Sequence, residues 1–259
     1  MKKLAVLFFV LSSTIFSFAQ DTIPASPIPM DTTVVNIPPP PAKRWNTANV
    51  GNRSSDHLLI QVGYAGWAQK PDSINTKGLS RSFNVYFMFD FPFKTNPHFS
   101  VAVGAGLSTS NIYFEKTYID IAGKNADELM FTNVSDTNYF KKYKLVNTYA
   151  EAPVELRWLS DPYNSNKSWK IAIGGKIGTM LTAGTKGKNL LNKGGQTVLS
   201  YTQKEKGKRF FNGTRLSATA RFGYGNFSLF GSYQLNSFVK EGMGPDVRPY
   251  MLGLTLSGL

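Results

Sequence analysis

A period-two alternation of apolar and polar residues across positions 215–234 constrains the fold of this chain more than any other feature. In the first half of this stretch, Leu216 and Phe222 belong to an apolar face, and serine, threonine and arginine residues form the opposite face. The alternation resumes after the pair Gly225-Asn226. Such alternation predicts β-strands, and a Gly-Asn pair between two runs predicts a tight hairpin. The apolar face must then meet either a protein core or lipid.

The same alternation defines eight strand-like runs from residue 57 onward. In the second run, for example, Phe83, Phe87 and Phe91 alternate with Asn84 and Asp90. After the N-terminal region, no stretch reaches the roughly 18 uninterrupted apolar residues that a membrane-spanning helix needs. The runs cover residues 57–68, 81–91, 99–114, 143–159, 169–183, the two halves of 215–234, and 248–259.

The connections between these runs alternate strictly between short and long. The short ones are residues 92–97, residues 160–167 and Gly225-Asn226, and the long ones are residues 69–80, 115–142, 186–209 and 236–247. Outer-membrane barrels combine short periplasmic turns with long external loops. We therefore expect an all-β fold, namely an eight-stranded antiparallel transmembrane β-barrel of the up-and-down type. A soluble β-sandwich is the alternative, but it does not explain the alternation of connection lengths.

Aromatic residues concentrate at both ends of the predicted strands, as expected for the two interface belts of a membrane barrel. At the predicted periplasmic ends these residues are Phe91, Phe93, Trp158 and Trp169. The predicted external ends carry Trp67, Tyr113, Phe114, Tyr118, Tyr139, Phe140, Phe210 and Phe211.

The N-terminal region predicts export. Lys2 and Lys3 precede an apolar run and then Ser17-Phe18-Ala19, so we expect a signal peptide over residues 1–19. A transmembrane anchor is the alternative, although the apolar run is short. Residues 20–56 include four consecutive prolines and lack periodicity, which predicts a periplasmic leader that is either an extended tether or a docking peptide. The barrel would then cover residues 57–259.

The polar face of the strands should fill a narrow lumen, because eight strands leave room for side chains and not for an aqueous channel. Opposed positions across residues 160–167 should sum to about 327, which would place Glu151 opposite Lys176 at mid-height. Pro153 has no backbone donor, so we expect a β-bulge there, and the facing of Glu155 and Arg157 is left open. Buried charges need partners. The predicted lumen charge network comprises Asp90, Glu151, Glu155, Lys176, Arg215 and Arg221.

The chain is strongly basic, with 29 lysines and arginines against 16 acidic residues and a formal net charge of +13. Nucleic acid is not an expected partner for an exported membrane protein. One predicted external loop concentrates cations that only Glu205 opposes. This loop is either a solvated surface or a contact surface for the anionic phosphates of lipopolysaccharide. Its cations are Lys186, Lys188, Lys193, Lys204, Lys206, Lys208 and Arg209.

Several segments resemble the PorT-like outer-membrane β-barrel family. They are YAEAPV at residues 149–154, the glycine-rich strand at 171–180 and KEGMGPDVRPYMLGLTL at 240–256, together with the signal peptide and proline-rich leader. The resemblance covers residues 58–259, and its motifs are structural. It implies an outer-membrane barrel. Because the family's namesake is associated with type IX protein secretion, it also implies an accessory role in a secretion complex.

No catalytic, cofactor or metal site is predicted. His57 and His98, the two histidines, begin strands at the predicted periplasmic end, whereas an active site for outer-leaflet substrates should lie at the external end. We therefore expect a non-catalytic integral outer-membrane protein, structural or accessory to the envelope or to a secretion complex. Its expected partners are outer-membrane lipid, lipopolysaccharide and proteins of such a complex. A lipid- or lipopolysaccharide-active barrel enzyme and a narrow channel are the alternatives.

Overall fold

The computed structural model describes residues 57–123 and 127–258 of the chain. The predicted signal peptide at 1–19 and leader at 20–56 lie outside these residues. No helix within the described ranges is long and apolar enough to cross a membrane. The strands are β1 (Leu58–Ala68), β2 (Arg81–Pro92), β3 (Phe99–Phe114), β4 (Thr117–Ile119), β5 (Phe131–Asn133), β6 (Tyr139–Leu159), β7 (Trp169–Leu191), β8 (Thr197–Lys206), β9 (Thr214–Tyr224), β10 (Phe227–Gln234) and β11 (Arg248–Ser257).

Eight of these strands close into an antiparallel barrel. They pair in the order β1-β2-β3-β6-β7-β9-β10-β11, and β11 returns to pair with β1. Each predicted run matches one of these barrel strands, so the predicted eight-stranded up-and-down barrel is confirmed. Three strands were not predicted. β8 pairs with the upper part of β7 to form a ribbon beyond the barrel, and β4 pairs with β5 inside the β3–β6 connection.

The two ends of the barrel differ as the connection lengths predicted. At one end, here called the turn end, short connections join β2 to β3, β6 to β7 and β9 to β10. The tightest is Gly225-Asn226, where Gly225 adopts a positive φ of 58° that favours glycine. The long connections lie together at the opposite end, here called the loop end.

On the barrel strands, most outward side chains are apolar, and most of the polar side chains point inward. Phe87 in β2 is 61% exposed and Leu254 in β11 is 58% exposed, whereas Asn84 and Thr255 on the same strands are fully buried. A soluble protein rarely exposes a continuous apolar surface of this kind. The outer face therefore has the composition of a surface that contacts lipid, and the sandwich alternative is wrong because the sheet closes on itself.

The register between β6 and β7 differs by two residues from the expected one. Glu151 pairs with Gly178, and Pro153 pairs with Lys176. The expected β-bulge at Pro153 is also wrong, because the register on both sides of β6 continues through this residue without a shift. The ladder with β3 simply lacks the pairs opposite residues 152 and 153, so the missing donor of proline interrupts hydrogen bonding locally.

The irregularity between these strands lies higher up, between Thr148 and Tyr149 of β6. Thr148 pairs with Thr182, and Tyr149 pairs with Met180, so Leu181 is an extra residue in β7. Leu181 and Thr182 are consequently both exposed, although they are adjacent in the chain. A bulge of this kind increases twist, and it lies where β7 begins to extend out of the barrel into the ribbon.

The loop end is closed by an apolar core. The long connections contribute buried residues such as Ile119, Phe210 and Phe238, which pack on inward side chains near the ends of the strands. The expected external aromatic belt is therefore partly wrong. Four of its members are buried in this core because the loops fold inward, and these are Trp67, Phe114, Phe210 and Phe211.

Candidate functional site in the barrel interior and on its external ribbon

The upper group of interior charges is centred on Glu151. Its Oε1 accepts a hydrogen bond from Arg215 Nη1 at 3.0 Å, and its Oε2 lies 3.3 Å from Lys176 Nζ. Tyr86 joins them, because its hydroxyl donates to Glu151 Oε2 at 2.6 Å and accepts from Lys176 Nζ at 3.0 Å. Arg215 also stacks 4.4 Å from the centre of the Tyr149 ring. One carboxylate therefore holds side chains from β2, β7 and β9.

Neutral polar side chains extend this group across the remaining strands. Arg215 Nε donates to Gln234 Oε1 at 3.0 Å, and Arg215 Nη1 lies 3.3 Å from Ser108 Oγ. Ser108 donates to Asn84, whose amide donates in turn to Gln61. Gln61 donates to Thr255. The chain of contacts therefore reaches strands on every side of the barrel wall.

The lower group, nearer the turn end, is centred on Glu155. Arg221 contacts both of its carboxylate oxygens, with Nη2 at 2.6 Å from Oε2 and Nε at 3.2 Å from Oε1. Arg157 Nε donates to Glu155 Oε2 at 3.1 Å, and its Nη1 lies 3.7 Å from Asp90 Oδ1. Asp90 also accepts a hydrogen bond from Ser100. The structure thus places all six predicted network residues inside the barrel, divided between two groups.

Arg157 also belongs to the lower group, although the sequence left open whether its side chain faces the lumen. The expected bulge at Pro153 would have disturbed its facing, and the uninterrupted register instead keeps Glu155 and Arg157 on the inward side. Two residues apart on one strand, they share a face. This period-two spacing was the signal in the sequence that could have placed Arg157 beside Glu155.

The predicted basic loop forms the ribbon of β7 and β8. Lys186 pairs directly with Lys204, and Lys188 and Lys206 lie on the same exposed face. β6 extends this face, because Lys144 pairs with Lys186 and Lys142 pairs with Lys188. These two β6 lysines were not linked to the loop by the sequence, since the pairing of distant strands brings them there.

The other cations of the predicted loop lie apart from this face. Lys193 sits beyond the end of β7 and forms an exposed ion pair with Asp136 at 2.9 Å. Lys208 and Arg209 follow β8, and Arg209 lies 5.4 Å from the centre of the Phe210 ring. The seven predicted cations therefore do not form one cluster.

Glu205 does not oppose the lysine face as its position in the sequence suggested. It alternates with Lys204 and Lys206 in β8, so its carboxylate points to the other side of the ribbon. There it accepts hydrogen bonds from the Tyr118 hydroxyl at 3.1 Å and from Gln203 at 2.6 Å. Burial and the adjacent Glu205 carboxylate raise the pKa of Tyr118 above its usual value. The ribbon is thereby attached to β4.

The sequence profile of the family described as outer membrane protein beta-barrel domain matches residues 43–240. This match covers most of the chain. The chain belongs to the outer membrane protein beta-barrel domain family. The turn end of this outer-membrane barrel is accordingly periplasmic, its loop end is external, and its outward apolar face contacts lipid.

Solved structures similar to this barrel include Ail, the attachment invasion locus protein of Yersinia pestis. One Ail structure has a TM-score of 0.30 and 17% identity over 78% of this chain and 99% of that chain. A second, in complex with the heparin analogue sucrose octasulfate, has a TM-score of 0.29 and 14% identity over 77% of this chain and 97% of that chain. Among curated proteins, none matches this outer-membrane barrel.

Both histidines lie at the periplasmic end of the outer-membrane barrel and contact backbone. His57 Nδ1 lies 3.0 Å from the Met88 carbonyl oxygen, and His98 Nδ1 lies 2.8 Å from the Leu159 carbonyl oxygen. These contacts join neighbouring strands at the barrel rim. Within the described residues, no group of three or more metal-ligating side chains occurs.

Proposed function

We propose that this outer-membrane barrel is a non-catalytic, non-conducting envelope protein whose external surface carries its function. The interior ion pairs are the observation that supports this proposal most directly. Glu151 and Glu155 are each contacted by two cationic side chains from other barrel positions, and all of these groups are buried. Their charges stabilise one another across the lumen, and they are not presented to a ligand.

The apolar core at the external end supports the same proposal. Trp67 packs against both Phe114 and Phe238 above the polar groups, with ring centres 5.4 Å and 5.7 Å apart. An ion that crossed the barrel would have to pass both this core and the charged groups below it. A packed interior favours a rigid scaffold over a channel.

The exposed ribbon is the part of the scaffold that we propose contacts lipopolysaccharide. Lys186, Lys188, Lys204 and Lys206 share one face of this ribbon, whereas the other cations of the predicted loop, Lys193, Lys208 and Arg209, lie apart from it. Cations close to an anionic membrane surface each contribute about 1 kcal/mol of attraction. The resemblance to PorT-like barrels further supports an accessory role in an envelope or type IX-like secretion complex, with the 20–56 leader as a candidate docking segment.

Two measurements on the purified full-length protein test the non-conducting, non-catalytic assignment. In planar bilayers the protein should leave the membrane without stepwise conductance, and a steady ion current would instead support the narrow channel. Incubation with lipopolysaccharide and phospholipid should yield no new species by mass spectrometry. The release of fatty acid would support the lipid-active enzyme. Crosslinking in native membranes, with and without residues 20–56, would then identify complex partners and test the role of the leader.

A further inference from the structure

A basic pocket lies at the external rim, on the side of the barrel where β2, β3 and β6 meet. It is a cavity of about 420 Å³ beneath the β1–β2 loop. Its cationic lining residues are Lys77, Arg81, Lys141 and Lys142, all of which are exposed. The volume falls within the usual range for small-ligand sites, roughly 300–1,000 Å³. None of these residues belongs to the predicted basic loop.

Backbone hydrogen bonds hold the walls of this pocket in place. The Lys77 amide donates to the Tyr113 carbonyl at 2.7 Å, and the Glu115 amide donates to the Asn75 carbonyl at 3.0 Å. The Ser80 hydroxyl accepts from the Tyr113 amide at 3.0 Å. The loop is therefore attached to the end of β3, and the pocket is formed before any ligand arrives. Preorganisation of this kind reduces the cost of ordering a site on binding.

The charges of the pocket are all of one sign. The four charged side chains among its lining residues are all cations, and within the described ranges none of the four forms an ion pair. The remainder of the lining is apolar or aromatic and includes Leu79, which is 64% exposed, and Tyr113. A ligand that satisfies this lining carries negative charge and also presents an apolar surface. Arginine and lysine together are well suited to phosphate groups.

The position of the pocket relative to the lipid-facing surface identifies the source of such a ligand. Arg81 is the first residue of β2, and the next outward residue is Phe83, followed by Val85 and Phe87. Phe83 and Phe87 belong to the exposed apolar face that contacts lipid. A molecule with its acyl chains along these residues would bring its headgroup to the level of Arg81 and the pocket. A soluble anion would gain nothing from this continuity.

We infer that this pocket binds the phosphorylated sugar headgroup of an outer-leaflet glycolipid. The cations contact the phosphate, the apolar and aromatic lining packs on the sugar ring, and the acyl chains follow the outer face of β2. A phosphate alone would leave most of the cavity empty. The inference deepens the proposed lipopolysaccharide contact and rests on it, but it assigns the recognition to residues outside the β7–β8 ribbon.

The test compares variants of the full-length protein in detergent or nanodiscs, with lipid A and dephosphorylated lipid A as probes. Lys77→Gln with Arg81→Gln, which leaves the lysine face of the ribbon intact, should weaken lipid A binding about tenfold or more and should leave the dephosphorylated lipid unaffected. Lys94→Gln with Lys167→Gln removes the same charge from the periplasmic end and should change neither affinity. Leu79→Trp fills the pocket without altering charge and should also weaken lipid A binding. Circular dichroism confirms that each variant is folded.

The inference would be overturned if the pocket and periplasmic variants lost lipid A affinity equally, or if Leu79→Trp bound lipid A normally. It would also be overturned if phosphatidylglycerol, which lacks the sugar, or glucose 1-phosphate, which lacks the acyl chains, bound as tightly as lipid A. A ribbon variant, Lys186→Gln with Lys204→Gln, separates the two proposals. If it loses affinity while the pocket variants bind normally, the proposed ribbon contact stands and the pocket assignment fails.

Discussion

Lys176 Nζ lies 3.3 Å from Glu151 Oε2, although the two residues are not paired in the strand register. Glu151 pairs with Gly178, and Lys176 stands two positions away along β7. A diagonal neighbour on the same face of a sheet remains within reach of a long side chain. Glycine opposite Glu151 leaves space for this approach. The carboxylate is then shared between Lys176 and Arg215, which makes it the centre of the upper group of charges.

Removal of this carboxylate should be strongly destabilising. Glu151→Gln leaves Lys176 and Arg215 buried without their common counter-charge, and loss of one partner from a buried ion pair costs about 3–5 kcal/mol. Urea unfolding in lipid vesicles, followed by tryptophan fluorescence, measures the change. Glu241→Gln is the matched control, because Glu241 is exposed and its substitution should stay within about 0.5 kcal/mol. A loss below about 1 kcal/mol for Glu151→Gln would show that the group is not structurally important.

The lower group should show strong coupling between Glu155 and Arg221. Their side chains meet through two contacts of 2.6 and 3.2 Å. A double-mutant cycle with Glu155→Gln and Arg221→Met should give an interaction free energy of about 0.5–3 kcal/mol in unfolding measurements. The pair Glu151 and Arg221 belongs to different groups and should be nearly additive. Strong coupling in that second cycle would mean that the two groups act as one network.

Gly174 should not tolerate alanine, because β7 passes very close to β6 at this point. A Cβ at Gly174 would clash with the Val154 carbonyl oxygen, so the strands would have to separate. Gly174→Ala should therefore lower the free energy of unfolding by about 1–3 kcal/mol or prevent barrel assembly. Gly213→Ala is the control, since the added methyl group would point into open space. Similar stability of the two variants would contradict this packing.

The external ribbon should loosen in alkaline solution. The raised pKa of Tyr118 means that the folded protein retains the phenolic proton at a pH at which the unfolded chain loses it. Its contribution is present below the ordinary tyrosine pKa of about 10 and declines as the pH rises above that value. Limited proteolysis of the ribbon should accelerate as the pH rises above about 10, towards the raised pKa of Tyr118 in the folded protein. Tyr118→Phe should make this acceleration less steep, and an unchanged pH profile would argue against the Tyr118–Glu205 contact as its cause.

Neutralisation of the ribbon should reduce lipopolysaccharide binding selectively. Lys186→Gln with Lys204→Gln removes two facing cations, which corresponds to a loss of about 2 kcal/mol towards an anionic surface. Binding to vesicles of neutral lipid should not change. Titration of the double variant and of the wild type at low and high salt provides the comparison, because added salt screens only the electrostatic part of binding. Equal losses on both kinds of vesicle would exclude a specific contact with anionic lipid.

Local sequence patterns determined the strands, their facing and the number that close the barrel. Alternation has a fixed period of two, so Leu216 and Phe222 are outward and Arg215 and Arg221 are inward whatever the rest of the chain does. Alternating connection lengths separated the periplasmic from the external end. The Glu151–Lys176 contact shows the limit of such patterns. The sequence predicted the right two residues, but it placed them directly opposite each other in a register that differs by two residues from the observed one.

Only the tertiary structure decided which side chains meet across the lumen and where the loops go. Arg215 of β9 reaches Glu151 of β6 over the intervening strand β7, because both residues pair with Gly178. Trp67 lies in the apolar core and not in the predicted aromatic belt, because the external loops fold inward over it. The pocket at Arg81 likewise joins three strands and a loop that are distant in the chain. Such contacts depend on long-range geometry, which a period along one strand does not encode.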